Sequence, residues 1–144
     1  MTVPSYGVNI LIAGPSGSGK STVAAGIVER FIERAYQVCI VDPEGDYGTL
    51  PEALTLGGAR HAIPVNEVLA ILEKPKMNLN VNLLGIPLAD RPAYFGHLFP
   101  SLQAMRTRTG RPHWIVLDER IMFYPRIGDT WAGHCRKTLA RSCW

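Results

Sequence analysis

The stretch Gly14–Thr22, GPSGSGKST, decides the fold class of this chain. Its first eight residues fit the pattern G-x-x-x-x-G-K-[ST], in which glycines let the backbone wrap around a phosphate chain with its N–H groups pointing inward. A helix predicted to begin at Lys20 directs the positive end of its dipole at the same anion. We therefore predict that ATP contacts every residue of this phosphate loop: Gly14, Pro15, Ser16, Gly17, Ser18, Gly19, Lys20, Ser21 and Thr22.

Three side chains at the end of the loop have distinct predicted roles. Lys20 is expected to reach the β- and γ-phosphates, which makes it a candidate catalytic residue, and the Ser21 hydroxyl is expected to bind Mg²⁺. Thr22 is placed to contact the α-phosphate. A glycine-rich turn without a ligand is the structural alternative. The flanking sequence favours the nucleotide site, because an apolar run (8–13) precedes the loop as a buried strand would, and 20–34 has the apolar spacing of a helix.

A second candidate site is the acidic end of the apolar run Trp114–Leu117. Asp118 and Glu119 follow that run directly, and in a phosphate-loop fold an aspartate at such a strand end holds the magnesium, usually through water. Glu119 is placed to orient and deprotonate an attacking water. A solvated acidic turn is the alternative. The phosphate loop favours the catalytic interpretation, with Asp118 as a metal ligand and Glu119 as a catalytic residue.

The segment Asp42–Tyr47, DPEGDY, admits two interpretations. It follows a second apolar strand (37–41), and ligands bind at the carboxyl ends of parallel strands, so its acids could face the nucleotide or its magnesium. The other interpretation is a turn whose Asp, Pro and Gly are present for backbone geometry. The sequence alone does not favour either one strongly.

The remaining elements indicate an α/β fold with a largely parallel sheet. ALTL and HAIPV, within the irregular segment 49–65, are candidate short strands, and 79–83 alternates as a strand with one polar face does. Residues 66–74 are predicted to form a helix with Asn66 as N-cap. A longer helix is predicted over 87–109, with Pro92 and Pro100 as candidate points of division into two pieces.

Composition indicates an ordinary globular protein and gives no sign of a membrane span. The N-terminus lacks the features of a signal peptide, which predicts a cytoplasmic location. The net charge of +3 arises in residues 120–144, which contain five Arg or Lys against one acid, so the body is not a basic protein. Cys39 lies in an apolar run and is interpreted as a buried, inert thiol.

Three segments together, GPSGSGKST at 14–22, IVDPEGDY at 40–47 and WIVLDE at 114–119, resemble the HerA–FtsK group of P-loop ATPases, in particular its HerA central-domain (helicase-type) branch. The resemblance covers roughly residues 7–119, and DPEGDY is its most specific part. It implies a RecA-like core, Mg²⁺-dependent ATP hydrolysis and, in intact relatives, homo-oligomeric rings that translocate DNA or protein. It supports Lys20, Ser21, Asp118 and Glu119 in the roles given above.

Residues 120–144 depart from that resemblance. Many related sequences continue D-E-A-H-H-[LV]-L-P, whereas here Glu119 is followed by RIMFYP. If one nucleotide is restored before the codons of Arg120–Pro125, the new frame permits Ala-His-His-Val-Leu-Pro, with Val and Leu forced. We therefore interpret the chain as a P-loop ATPase core at 1–119 followed by an atypical tail at 120–144. Our hypothesis is that the tail is translated out of frame, and a genuine divergent C-terminal segment is the alternative. An incomplete core of this kind is expected to have weak or absent ATPase activity and poor solubility.

Two other functions stay open at this point. A P-loop small-molecule kinase also begins with a loop of the GPSGSGKST type, and Asp42 could then bind the substrate. A remnant that binds nucleotide without catalysis is the third hypothesis. The Asp118-Glu119 pair and DPEGDY favour a HerA/FtsK-like ATPase, and the chain is predicted to be an enzyme only if its core is complete.

Overall fold

The computed structural model describes residues 9–15 and 17–118, and the predictions for Ser16, Glu119 and the tail lie outside these ranges. The described part contains three helices and four strands. In chain order they are α1 (Lys20–Glu33), β1 (Val38–Asp42), β2 (Leu54–Gly57), α2 (Val65–Leu72), β3 (Leu79–Asn82), α3 (Arg91–Thr109) and β4 (Trp114–Leu117).

The four strands form one parallel sheet in the order β2-β3-β1-β4. β1 pairs with β3 on one side and with β4 on the other, so that Val41 lies opposite both Val81 and Leu117. All five residues of β1 are buried, as expected of a strand covered on both faces. The predicted α/β class with a parallel sheet is confirmed, and the arrangement is consistent with a RecA-like P-loop core.

The helices divide between the two faces of the sheet. β1 turns Val38 and Ile40 towards α1, where they pack with Val28 and Phe31. On the other face α2 and α3 cover a larger apolar cluster: Cys39, Val41, Ile63, Val68, Leu72, Leu79, Val81, Leu83, Ile86, Phe95, Leu98, Leu102 and Met105. Both faces of the sheet are therefore covered, because successive side chains of a strand point to opposite sides.

The predicted strand before the phosphate loop is not formed in the described residues 9–13. Leu11 is 88% exposed, although the apolar run predicted burial. A strand is stable only when its backbone groups pair with a neighbour. Among the described residues this run has no strand partner, and β4 pairs on one side only, with β1.

Two helix predictions need adjustment. α2 begins at Val65 with Pro64 as N-cap, so the prediction of Asn66 as N-cap is wrong. α3 is one continuous helix, so the predicted division at Pro92 and Pro100 is wrong. Pro92 lies in the first turn, where a backbone N–H would have no partner within the helix. Pro100 lies inside the helix on its exposed side. No helix within residues 9–15 and 17–118 combines the length and apolar character needed to cross a bilayer.

The strand predictions for the middle of the chain are confirmed in part. ALTL supplies β2, whereas HAIPV forms no strand and contributes only an isolated bridge between Gly58 and His61. β3 matches the alternating run, but its polar face is buried rather than solvated. Asn80 is fully buried and Asn82 is 7% exposed. A polar strand face inside the protein requires buried partners, which the adjacent site provides.

Candidate nucleotide site

The phosphate loop has the backbone conformation that its glycines permit. Gly17 and Gly19 have φ angles of 76° and 82°, in the left-handed region that residues with a Cβ avoid. A Cβ at either position would meet no atom within 4 Å, so conformation rather than crowding requires these two glycines. Gly14 differs, because a Cβ there would lie 2.6 Å from Ser18 Oγ.

Lys20 closes the loop at the first residue of α1. Its ammonium Nζ donates a hydrogen bond to the carbonyl oxygen of Pro15 at 2.9 Å, and Ser18 N–H donates to the same oxygen at 3.3 Å. The positive charge of Lys20 thus lies across the loop whose N–H groups are predicted to bind phosphate.

The first turn of α1 is free to interact with an anion. Gly19 is its N-cap, no side chain caps the turn, and no acidic residue lies in it. Ser21 and Thr22 are exposed there, so both hydroxyls are accessible. A helix N-terminus with uncapped N–H groups attracts negative charge through those groups and through the dipole.

The direction of α1 determines which edge of the sheet the loop faces. Phe31, near the end of α1, stacks on Trp114 at the start of β4, with ring centroids 4.1 Å apart and an interplanar angle of 10°. The helix therefore runs antiparallel to the strands, and its N-terminus lies towards their carboxyl ends. Asp118 follows the carboxyl end of β4. This direction is compatible with the prediction that Lys20 and Ser21 lie at the same edge of the sheet as Asp118.

Asp118 is fixed through its backbone to the neighbouring strand. Its N–H donates to the carbonyl oxygen of Val41 at 3.2 Å, which continues the β1–β4 pairing by one residue. Trp114 and Val116 pack against the α1 cluster, whereas Ile115 packs against the opposite one. The alternation of side chains therefore places Asp118 on the α1 face, beside Asp42 at the end of β1.

Asp42 has a structural role in the turn that follows β1. Its side chain is fully buried, and its two carboxylate oxygens accept four hydrogen bonds. Oδ1 accepts from the N–H groups of Gly45 at 2.7 Å and Asp46 at 3.1 Å. Oδ2 accepts from Tyr47 N–H at 3.1 Å and from Asn80 Nδ2 at 3.2 Å. Of the two interpretations of DPEGDY, the structure favours the turn for Asp42.

Gly45 is required by both conformation and space. Its φ angle is 85°, and a Cβ would lie 2.8 Å from Leu84 Cδ1 and 3.3 Å from Asn82 Nδ2. The turn therefore packs directly against the segment that follows β3. This packing explains why DPEGDY contains a glycine at its fourth position.

Residues 9–90 match the family model described as "Helicase HerA, central domain". The match covers more than half of the 144 residues and includes the phosphate loop, β1 and the DPEGDY turn. The chain belongs to the HerA central-domain family. Comparisons with curated proteins and with solved structures gave no significant match. The resemblance to a HerA-type domain is thereby confirmed, and it supports a P-loop ATPase domain in general.

The donor set at the sheet edge of this HerA-type domain suits magnesium. Ser21 and Asp118 offer oxygen ligands, which Mg²⁺ prefers, and Mg²⁺ in nucleotide sites needs only one or two side chains besides phosphate and water. The part of the chain that the structure describes contains no group of three or more His, Cys, Asp or Glu side chains that could hold a metal ion. The oxygen donors of Ser21 and Asp118 thus fit their predicted role as Mg²⁺ ligands, with phosphate and water as the remaining ligands.

Two residues of the site were not predicted from the sequence. Asn80 supports Asp42 from the next strand, and Tyr47 lies with its hydroxyl buried near Asp118. The alternation of 79–83 placed Asn80 and Asn82 on one face, which was the available signal. The pattern did not show that this face meets a buried carboxylate.

A separate open groove of about 780 Å³ lies on the other side of the sheet. The segment before α2 and the start of α3 line it, with Ile63, Ile86 and Tyr94 among its apolar residues. None of the predicted site residues contributes to it, so it has no part in the nucleotide site.

Proposed function

We propose that this HerA-type domain binds ATP with Mg²⁺ and uses the edge formed by the phosphate loop and Asp118 for ATP hydrolysis. The observation that supports the proposal is the stack of Phe31 on Trp114, which puts the end of α1 at the start of β4, so that the start of α1, with Lys20 and Ser21, is expected towards the strand ends that precede Asp118. In this proposal Lys20 binds the β- and γ-phosphates, and Ser21 and Asp118 hold Mg²⁺. Glu119, the next residue along the chain, activates water.

Binding of a fluorescent ATP analogue tests the site. Lys20→Ala should weaken binding roughly ten- to a hundredfold, because it removes a charged hydrogen bond to phosphate. Lys74→Ala is the matched control, since Lys74 is an exposed lysine at the end of α2. Ser21→Ala should weaken binding with Mg²⁺ present and have little effect in EDTA. Equal affinities of the Lys20 variant and the unchanged chain would contradict the proposed site.

Hydrolysis is tested separately through Glu119→Gln, which should retain ATP binding and lose phosphate release. Phosphate release without an acceptor supports an ATPase, whereas transfer to a small phosphoryl acceptor supports the kinase alternative. The structure weakens that alternative, because the four hydrogen bonds of the buried Asp42 carboxylate leave it unsuited to a substrate.

We also propose that 1–119 is the ATPase core and that 120–144 is an out-of-frame tail. The sequence support is the Ala-His-His-Val-Leu-Pro pattern recovered in the shifted frame of 120–125. The proposal predicts weak turnover by the 144-residue chain even if it binds ATP. The nucleotide sequence across codons 118–144 tests it, and an early stop in the other frame would refute it.

Assembly and substrate are proposed from family membership alone. A HerA-type domain suggests a homo-oligomer and a translocated DNA or protein. Light scattering with a slowly hydrolysed ATP analogue, with and without DNA, tests both. A monomeric mass under all conditions, with no change when DNA is added, would contradict this part of the proposal.

A further inference from the structure

Tyr47 is held firmly at the end of the DPEGDY turn. Its residue is 3% exposed, and its ring packs in the α1 cluster with Val28, Phe31 and Ile40. Its backbone N–H donates to Asp42 Oδ2 at 3.1 Å. Tyr47 is therefore anchored to the carboxyl end of β1 by both its backbone and its side chain.

The Tyr47 hydroxyl ends beside Asp118. This oxygen is buried and makes no hydrogen bond of good geometry with the described residues. The Asp118 carboxylate is nevertheless close enough to interact with it. Burial, followed by the nearby charge of Asp118, raises the pKa of Tyr47 above its ordinary range. A phenol hydroxyl that is buried without a hydrogen-bond partner is available as a donor to a carboxylate beside it.

Asp118 is anchored to the same strand end as Tyr47. Its N–H is bonded to the carbonyl of Val41, one residue before the Asp42 that holds Tyr47. The backbones of Asp118, which follows β4, and Tyr47, in the turn after β1, are thus both hydrogen-bonded to the carboxyl end of β1. Partners of this kind fix the orientation of metal-ligating carboxylates.

We propose that Tyr47 is a positioning residue of the magnesium site, whose hydroxyl donates to one carboxylate oxygen of Asp118 and leaves the other to face the phosphate loop. The proposal rests on the proposed function, in which Asp118 holds Mg²⁺. A hydrogen bond from a phenol to a carboxylate is charge-assisted, so it is strong enough to select one orientation. The DPEGDY turn then links the metal ligand to β1.

The test is Tyr47→Phe, which removes only the hydroxyl oxygen. Calorimetry of ATP binding is compared in Mg²⁺ and in EDTA. We expect Tyr47→Phe to weaken Mg²⁺-ATP binding roughly tenfold and to leave metal-free ATP binding unchanged, as for partners of metal ligands in general. Tyr94→Phe is the matched control, because the Tyr94 hydroxyl is also buried without a hydrogen bond but packs on the opposite face.

A double-variant cycle separates positioning from a general structural effect. Asp118→Asn should show the same Mg²⁺-selective loss, and adding Tyr47→Phe to it should cause little further loss, since the hydroxyl acts through that carboxylate. Equal weakening of both ATP forms by Tyr47→Phe, or no effect on either, would overturn the inference while the nucleotide site stands. If the unchanged chain binds neither form, the proposed function fails and this inference fails with it.

Discussion

The replacement Asp42→Asn is the most direct test of the site's framework, because it keeps the shape of the side chain and changes its hydrogen bonding. Each carboxylate oxygen accepts two bonds, from Gly45 and Asp46 on one side and from Tyr47 and Asn80 on the other. An asparagine has one accepting oxygen and one donating NH₂ group. In either orientation, two of the four donors would therefore face another donor.

The expected loss follows from the burial of this group. Hydrogen bonds to a charged acceptor contribute about 1.5–3 kcal/mol each, and part of the loss of two is offset because a neutral amide is less costly to bury. We expect the free energy of unfolding to fall by about 2–4 kcal/mol. That is a large fraction of the roughly 5–15 kcal/mol typical of a domain.

Urea unfolding at neutral pH measures this change. The midpoint should fall by about 1–2 M with an unchanged slope. Asp46→Asn is the control, because it is the same chemical change on an exposed side chain of the same turn, and it should stay within about 0.5 kcal/mol. A loss for Asp42→Asn no larger than that of the control would refute a structural role for the Asp42 carboxylate.

Three further predictions follow from other contacts. Trp114→Ala should lower the free energy of unfolding by about 2–4 kcal/mol, because it removes the stack on Phe31. Leu88→Ala is the control in the same urea assay and should have little effect, because Leu88 is 71% exposed. His113 Nδ1 accepts a hydrogen bond from Gln37 N–H at 2.8 Å. Burial, and then the charges of Arg111 and Arg106, lower the pKa of His113 below the ordinary 6.5. The stabilising contribution of neutral His113 is therefore present above pH 6.5 and is lost as pH falls through the pKa of the folded state. Urea unfolding midpoints should therefore fall as the pH is lowered below 6.5. His113→Asn keeps a hydrogen-bond acceptor but does not titrate, so it should reduce this dependence on pH. Burial raises the pKa of the Cys39 thiol to about 12, so this thiol should react slowly with an alkylating reagent. Peptide mass spectrometry after alkylation should find Cys39 unmodified in the native chain and modified in urea. Rapid alkylation of the native chain at Cys39 would contradict its burial.

The parts of the fold that could be predicted are those fixed by local pattern. β1 and β4 are short apolar runs covered by helices, and α1 follows a loop whose glycines adopt left-handed angles, so period and composition were sufficient. The predicted strand at 8–13 depended on a neighbour as well as on its own residues. Its described part, 9–13, has the composition of a buried strand but no pairing, and pairing is not a local property.

The sequence yields specific site predictions only where one residue type has one chemical role. Lys20 and Ser21 are specified by the phosphate-loop spacing, and Asp118 by its position after a buried strand. Asn80 and Tyr47 were missed because their partners come from other strands. Alternation shows that Asn80 shares a face with Asn82, but the pattern is the same whether that face meets water or a buried carboxylate.

The DPEGDY turn connects strands that are far apart in the sequence. Asp42 holds Asn80 of β3, and Tyr47 brings its hydroxyl to Asp118 beyond β4, so one turn contacts both neighbours of β1. The Tyr47 ring packs in the α1 cluster, a role that phenylalanine could also fill, so only its hydroxyl is left for Asp118. Perturbing the two residues should therefore separate two functions of one motif. Asp42→Asn should lower the stability of the whole sheet edge, whereas Tyr47→Phe should leave the unfolding midpoint nearly unchanged and act on magnesium binding alone.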